Sequence, residues 1–288
     1  WVDAPATFDV ILTNPPFGGK ESVAAQTQFA YRTSATQVLF LQHIIEALKH
    51  GGRCGMVIDE GVLFRTNEDA FVKTKRKLTD ECALWCVLSL PAGVFSAAGA
   101  GVKTNLLFFA KGSPTDRIWY YDLSDVKVGK KSPLTLKHFE DFAEKLAARP
   151  DSERSWTVDL SALRAKAAAE ALPLRDAARA KQREADETRD GLKALKKAKP
   201  RDDAAIAAME AAIRELLKAA REATNKADDV ENAVYDLKAV NPNRQVESDR
   251  RTPEELLDLV EEKGVAIADA LKTLRALLEH APATTQST

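Results

Sequence analysis

Short apolar runs alternate with amphipathic stretches over the first half of the chain. Long helical periodicity replaces them in the second. Phe8-Asp9-Val10-Ile11-Leu12 is an apolar run closed by Thr13-Asn14-Pro15-Pro16, which predicts a strand stopped by prolines. From Thr36 to Lys49 the residues Val38, Leu39, Leu41, Ile44, Ile45 and Leu48 recur at helical spacing, and Gly51-Gly52 reads as the C-cap pair of that helix. A second strand is expected at Cys54–Ile58, a charged helix over 68–80, and further strands at Leu84–Leu90 and Asn105–Ala110. Strands separated by helices predict a mainly parallel sheet. The last two strands are joined by 91–104, which has no helical pattern, so that pair is expected to be antiparallel.

Past Pro150 the chain turns rich in Ala, Glu, Lys and Arg and nearly loses aromatics. Ile206, Met209, Ile213, Leu216, Ala220, Ala223, Ala227, Val230, Val234 and Leu237 follow steps of three and four, the seam of a coiled coil. A weaker seam runs through Leu174, Ala178, Ala185, Leu192 and Leu195. Pro200 and Asp202-Asp203 supply a turn and an N-cap between the two, so they pair as antiparallel helices. A last helix opens at Thr252-Pro253-Glu254-Glu255, with a capping-box Glu, and continues through Leu256, Val260, Ile267, Leu271, Leu274 and Leu278. The tail Thr284–Thr288 reads as disordered. The expected organisation is an α/β region at 1–150 and a helical interaction region at 151–288.

Composition narrows the classes. Forty-two basic and 43 acidic residues give a net charge of −1, which excludes binding of nucleic acid by bulk charge alone. Cys54, Cys82 and Cys86 form no paired framework and fit a reducing cytoplasm. Cys82-x-x-x-Cys86 reads as buried thiols, and His43, His50, His138 and His280 have no ligand spacing, so no metal is expected. No apolar run reaches the roughly 20 residues of a membrane helix, and no secretory leader is recognisable. The chain starts at Trp1, with a strand almost at once, and is expected to be a piece of a longer protein, cut inside a domain.

The chemistry concentrates in Asn14-Pro15-Pro16-Phe17, at the carboxyl end of a strand, where open parallel sheets bind ligands. The prolines fix the backbone and remove two amide donors. Asn14 offers a side-chain carbonyl, Pro15 a backbone carbonyl, and Phe17 a stacking face. Two acceptors beside one flat ring suit an exocyclic amine on a planar heterocycle. They hold its two protons and turn the nitrogen lone pair outwards, towards a methyl donor. The same tetrapeptide also reads as a plain turn. Lys20 nearby reads as a solvated surface lysine.

With its flanks, Phe8-Asp9-Val10-Ile11-Leu12-Thr13 before and Gly18-Gly19-Lys20-Glu21 after, this tetrapeptide resembles the catalytic motif of amino-methylating DNA methyltransferases. Gln37-Val38-Leu39-Phe40-Leu41-Gln42-His43, Leu48-Lys49-His50-Gly51-Gly52-Arg53, Gly61-Val62-Leu63-Phe64, Leu90-Pro91-Ala92-Gly93-Val94-Phe95, Lys103-Thr104-Asn105-Leu106-Leu107-Phe108-Phe109 and Trp119-Tyr120-Tyr121-Asp122-Leu123 resemble the methylase (modification) subunit of type I restriction-modification systems. Tyr235-Asp236-Leu237-Lys238 with Asn241-Pro242 resembles that family's C-terminal region.

The resemblance implies the second half of a Rossmann-like methyltransferase sheet with an antiparallel terminal hairpin, followed by a coiled-coil-like helical region. It implies methyl transfer from S-adenosylmethionine to the 6-amino group of an adenine flipped out of DNA. Asn14 and Pro15 would meet the amine and border the cofactor, Pro16 would hold the loop, and Phe17 would stack on the base. Lys103, Thr104 and Asn105 would line the base pocket. The implied partners are DNA, a specificity subunit and a restriction subunit.

The sequence departs from the family in lacking its Phe-x-Gly-x-Gly cofactor loop and its acidic ribose contact; Gly99-Ala100-Gly101 has the wrong flanks and reads as a mobile loop. Asp59 stands where proline is common. The chain alone is therefore expected to hold the cofactor poorly and to be inactive. The family places another strand beside Phe8–Leu12, so that strand would offer an open edge, prone to self-association or cover by another segment. Two alternatives stand beside the DNA enzyme. One is a helical module that docks on the specificity subunit. The other is a protein- or RNA-methylating relative.

Overall fold

The computed structural model describes residues 7–95, 102–129, 131–197, 199–200, 202–243 and 252–279. The chain divides into two compact units, Trp1–Arg244 and Gln245–Thr288. The stretch 96–101, with the Gly99-Ala100-Gly101 segment, and the tail Thr284–Thr288 lie outside the described residues.

The first unit is built on a six-stranded sheet: β1 (Phe8–Thr13), β2 (Leu48–Asp59), β3 (Cys82–Ser89), β4 (Thr104–Lys111), β5 (Arg117–Asp122) and β6 (Ser155–Asp159). Their spatial order is β1-β2-β4-β3-β5-β6. β1 pairs parallel with β2, and β3 parallel with β5. β4 runs antiparallel between β2 and β3; the β3–β4 pairing is the one the loop without helical pattern predicts, while the insertion of β4 beside β2 leaves two of the five pairings parallel where a mainly parallel sheet was expected. The carboxyl ends of β1, β2 and β3 and the start of β4 therefore share one edge of the sheet.

Helices supply the sheet's cover. α1 (Val23–Gln26) is one turn. α2 (Thr36–Ala47), α3 (Glu60–Phe64) and α4 (Asp69–Glu81) bring Val38, Leu41, Ile45, Leu63, Phe71 and Leu78 onto the face carrying Met56, Leu84, Leu107 and Phe109. The opposite face is aromatic. Trp85, Phe108, Trp119 and Tyr121 pack there against Phe142 of α5 (Glu140–Lys145). Cys54, Cys82 and Cys86 are free and buried, as expected, and burial pushes each thiol up to about 12.

Gly51-Gly52 is not a helix cap. α2 ends at Ala47, and Leu48 is already extended and in β2. Register jumps from Phe8↔Leu48 to Val10↔Arg53, so β2 carries a bulge there. Gly51 takes φ +79°, and a Cβ on Gly52 would lie 3.0 Å from the Phe8 carbonyl oxygen. The glycines let β2 kink beside β1 instead of ending a helix. β1 is the terminal strand, and its Phe8, Val10 and Leu12 are 49%, 50% and 79% exposed.

The change in composition at residue 150 is not a change in packing. β6 lies past it and pairs antiparallel with β5, with Trp156 stacked on Tyr120 at 5.2 Å. α6 (Leu160–Lys197) and α7 (Asp203–Ala233) then form the expected antiparallel hairpin. α6 begins before the seam at Leu174 suggests, and Pro173 sits inside it, exposed. The buried layers are Ala171, Ala178, Ala185 and Leu192 against Ile206, Ile213, Ala220 and Ala227, each seven residues apart, while Leu174 and Leu195 are half-buried. Alanines let the two backbones approach closely. Ala185→Leu is expected to overpack this seam and cost about 1–3 kcal/mol, read as an earlier loss of helicity in denaturant. An unchanged midpoint would show that the helices sit farther apart. The end of α7 is tied back to the sheet domain: Arg76 and Arg164 flank the Tyr235 ring at 4.9 and 5.7 Å, and the Leu237 amide donates to the Leu63 carbonyl at 3.1 Å.

In the second unit α8 (Pro253–Glu279) opens with the capping box, the Thr252 amide donating to Glu255 and the Glu255 amide to the Thr252 hydroxyl. Leu257, Val260, Ile267, Leu271 and Leu274 are exposed along it. No helix among the described residues is long and apolar enough to cross a membrane.

Candidate active site

The Asn14–Phe17 tetrapeptide leaves β1 at the shared edge. Pro15 is buried and anchors the turn, Asn14 and Pro16 are exposed, and Phe17 is half-buried. Phe17 meets Phe95, from the connection between β3 and β4, with ring centroids 5.0 Å apart and planes tilted by 57°. Behind it the loop runs close to α2: a Cβ on Gly19 would fall 2.5 Å from the Thr36 hydroxyl, so only glycine fits without a shift. Lys20 is exposed, as expected.

Lys103 precedes β4 and Thr104 and Asn105 open it, two strands from the motif, or about 10 Å at the usual strand spacing. Both neighbours clamp them. The Glu60 amide donates to the Lys103 carbonyl and the Leu90 amide to the Thr104 carbonyl, each at 3.0 Å. The Lys103 ammonium lies 2.8 Å from Glu60 Oε1 as an ion pair, off the hydrogen-bonding direction. The topology thus brings the motif and the Lys103–Asn105 run to one edge.

Buried side chains there lack partners. Asn105 is fully buried with neither amide atom hydrogen-bonded, and the Thr104 and Ser89 hydroxyls are likewise buried and unpaired. Ser89 faces Asn105 across the β3–β4 ladder. Gln37 accepts the Asp59 amide at 2.8 Å through Oε1, but its Nε2 is buried without a partner. An unpaired buried polar group costs about 1–3 kcal/mol, so four side chains of this kind at one sheet edge are a costly arrangement that a ligand's polar atoms would relieve. Sequence reasoning missed Ser89, Gln37 and Glu60. A serine closing an apolar strand reads as a turn, and a glutamine on a buried helix face gives no signal.

Asp59 N-caps α3: its Oδ1 accepts the Gly61 amide at 2.7 Å. A cavity of about 90 Å³ lies between this cap and the motif loop, lined by Gly18, Gly19, Thr36, Gln37, Asp59 and Arg65 among others. The far end of α3 is held by Lys75. Its fully buried ammonium donates to the Leu63 and Arg65 carbonyls at 2.6 and 2.8 Å. Burial pushes Lys75 down to about 7, partly opposed by Asp236.

The folded state thus resists protonation that the unfolded chain accepts up to its ordinary pKa of 10.5. Stability should therefore rise with pH from about 7, with a limiting slope of about 1.4 kcal/mol per unit. Above about 9 the thiols oppose it, because they ionise in the unfolded chain first. Denaturant midpoints from pH 7 to 9 should climb in the wild type and flatten in Lys75→Met. Parallel curves would refute the assignment.

Comparison with known proteins places the chain in a family. Residues 1–183 match the N-6 DNA Methylase family. The methylase subunit of the type I restriction enzyme EcoEI of Escherichia coli is 39% identical over 165 residues, 53% of this chain and 33% of that protein. The StySPI methylase subunit of Salmonella potsdam is 40% identical over 145 residues, 46% of this chain and 27% of that protein. A solved structure described for complex assembly and conformational transition of a type I R-M system superposes with TM-score 0.53 at 32% identity, over 95% of this chain and 46% of its own.

The sheet with its strand-end motif defines an open α/β fold of the Rossmann-like methyltransferase kind. The chain belongs to the N-6 DNA methylase family. It spans about a third or less of the length of the curated relatives it matches.

Proposed function

We propose that this chain carries the methyl-acceptor half of an adenine-N6 DNA methyltransferase, the modification subunit of a type I restriction-modification system. One observation carries the reading. At the carboxyl end of β1 an exposed Asn14 and a half-buried Phe17 stand on a buried Pro15, at the same sheet edge as the unpaired polar side chains of β3 and β4, two to three strands away.

In this reading the Asn14 carboxamide oxygen and the Pro15 carbonyl accept the two N–H bonds of the adenine amine. Phe17, propped by Phe95, covers one face of the base. Asn105, Thr104 and Ser89 supply polar contacts deeper in the pocket, and Lys103 stands at its rim. Bound S-adenosylmethionine supplies an electrophilic methyl on sulfur. The residues present fit the acceptor side of that chemistry. They do not fit the nucleoside half of the cofactor, because the sequence holds neither a Phe-x-Gly-x-Gly loop nor the acidic ribose contact.

The helices past residue 150 serve assembly in the same proposal, with DNA, a specificity subunit and a restriction subunit as partners, and the cytoplasm as the place of action. The exposed apolar stripe of α8 and the β1 edge are the surfaces that favour such contacts. The test is methylation of duplex DNA by the full-length protein in its complex. Tritium transferred to adenine, identified as N6-methyladenine after digestion, supports the reading. Methyl transfer only to protein or RNA overturns it.

A further inference from the structure

The hairpin of α6 and α7 is long for a mere connection. At 1.5 Å per residue, the 38 residues of α6 span about 57 Å. Past its base the two helices pack on each other. Its two sides differ. On one side Arg175, Gln182, Arg189 and Lys196 recur every seven residues along α6, and Arg214 and Arg221 do so along α7. Residues seven apart share a helix face. A groove of about 500 Å³ opens on this side, lined by Arg175, Arg179, Gln182, Arg221 and Thr224 over an alanine and leucine floor. Towards the tip cations are added: Arg189 to Lys199 holds five basic residues and one acidic.

The charge balance on this side separates structural cations from free ones. Arg175 is held near the base by Asp228 and Glu231, at 2.8 and 2.6 Å. Arg189 pairs with Asp186, Lys196 with Glu210, and Arg179 with Asp176 at 3.5 Å, all between exposed side chains. Such pairs are weak and exchange readily for a stronger anion. Arg214, Arg221, Lys197 and Lys199 make no ion pair among the described residues. Arg221 and Lys197 lie about 30 Å apart along the hairpin axis, because Leu217 and Arg221 face Ala178 to Gln182 in the groove. One phosphate or one carboxylate cannot span that distance. A polyanion with charges every few ångströms can.

We propose that the arginine side and tip of the α6–α7 hairpin form a contact surface for the phosphate backbone of duplex DNA, outside the methylation pocket. The inference rests on the reading of the chain as acting on DNA. It answers a problem raised by composition: a net charge of −1 gives no attraction overall, so backbone affinity has to be concentrated locally. Arginine suits the role, since its planar fork matches phosphate oxygens.

The experiment uses the full-length protein in its complex, with Arg179→Gln, Arg214→Gln and Arg221→Gln combined. The matching Arg→Lys triple is the control for charge. DNA affinity is measured against salt on a duplex long enough to extend past the recognition site. Each lost phosphate contact lowers the slope of log K against log salt by about 0.9, so the Gln triple should flatten it by about 2–3 and the Lys triple should restore it. Methyl transfer at saturating DNA should be unchanged in both. An unchanged slope overturns the proposal. So does loss of a partner subunit from the complex with the slope intact, which would make this side a protein-docking surface. If the wild type binds DNA with the expected slope change but methylates no adenine, the function proposed above fails and the contact surface stands.

Discussion

Asn14→Ala in the full-length protein should lower the rate constant for adenine methylation by about 10²–10³-fold, or about 3–4 kcal/mol, with DNA affinity nearly unchanged. The magnitude follows from removing one preorganised hydrogen-bonding group aimed at a charge that develops in the transition state. As the amine attacks, its nitrogen becomes cationic, and an acceptor on its proton gains strength at that moment and not before. Phe17→Ala should behave differently. It removes a stacking face worth about 1–3 kcal/mol, part of which is expressed in binding the flipped base, so it should raise KM as well as lower kcat. Single-turnover methylation on one duplex separates the two. Equal KM effects from both substitutions would mean that Asn14 binds the base without acting in the transfer. The folded state should tolerate both: Asn14 is exposed, and Phe17 is half-buried with Phe95 beside it.

The tetrapeptide alone reads equally as a plain turn, and it is the resemblance of its flanks that singles it out as a candidate site. The helices at Thr36–Ala47 and Asp69–Glu81 were legible from spacing, and β3 and β4 from their apolar runs. Two strands were not. β5 and β6 are stabilised by each other and by aromatic stacking of Tyr120 on Trp156, a contact between residues 36 positions apart that no local pattern encodes. The bulge at Gly51-Gly52 failed for a related reason. A glycine pair after a helical run has two physical uses, ending the helix or kinking the next strand, and only the register against β1 chooses between them. In the site, the resemblance pointed to Lys103, Thr104 and Asn105, whereas Ser89 and Gln37 became visible only as unpaired atoms in a buried place.

Asn105→Leu should separate folding from function in opposite directions. Leucine branches at the same carbon as asparagine and carries no polar atom. Asn105 is 0% exposed with both amide atoms unpaired, so the folded protein bears the desolvation of a carboxamide with no hydrogen bond in return. Removing both polar atoms should raise stability by up to about 1–3 kcal/mol, less whatever strain the bulkier side chain introduces between Ile58 and Ser89. Methylation should fall at the same time, because the buried amide is then no longer there for the polar edge of a base. A gain in stability at the expense of activity is what a binding residue shows, since its unmet hydrogen bonds are kept for the ligand. Asn105→Asp is the complementary case: it keeps the shape but buries a charge beside unpaired Ser89, and should lose both stability and activity. The measurements are denaturant midpoints and single-turnover methylation on the same preparations. If Asn105→Leu is destabilised by more than about 2 kcal/mol while activity per folded molecule is retained, Asn105 is a structural residue and the buried polar group at the head of β4 is not where the base binds.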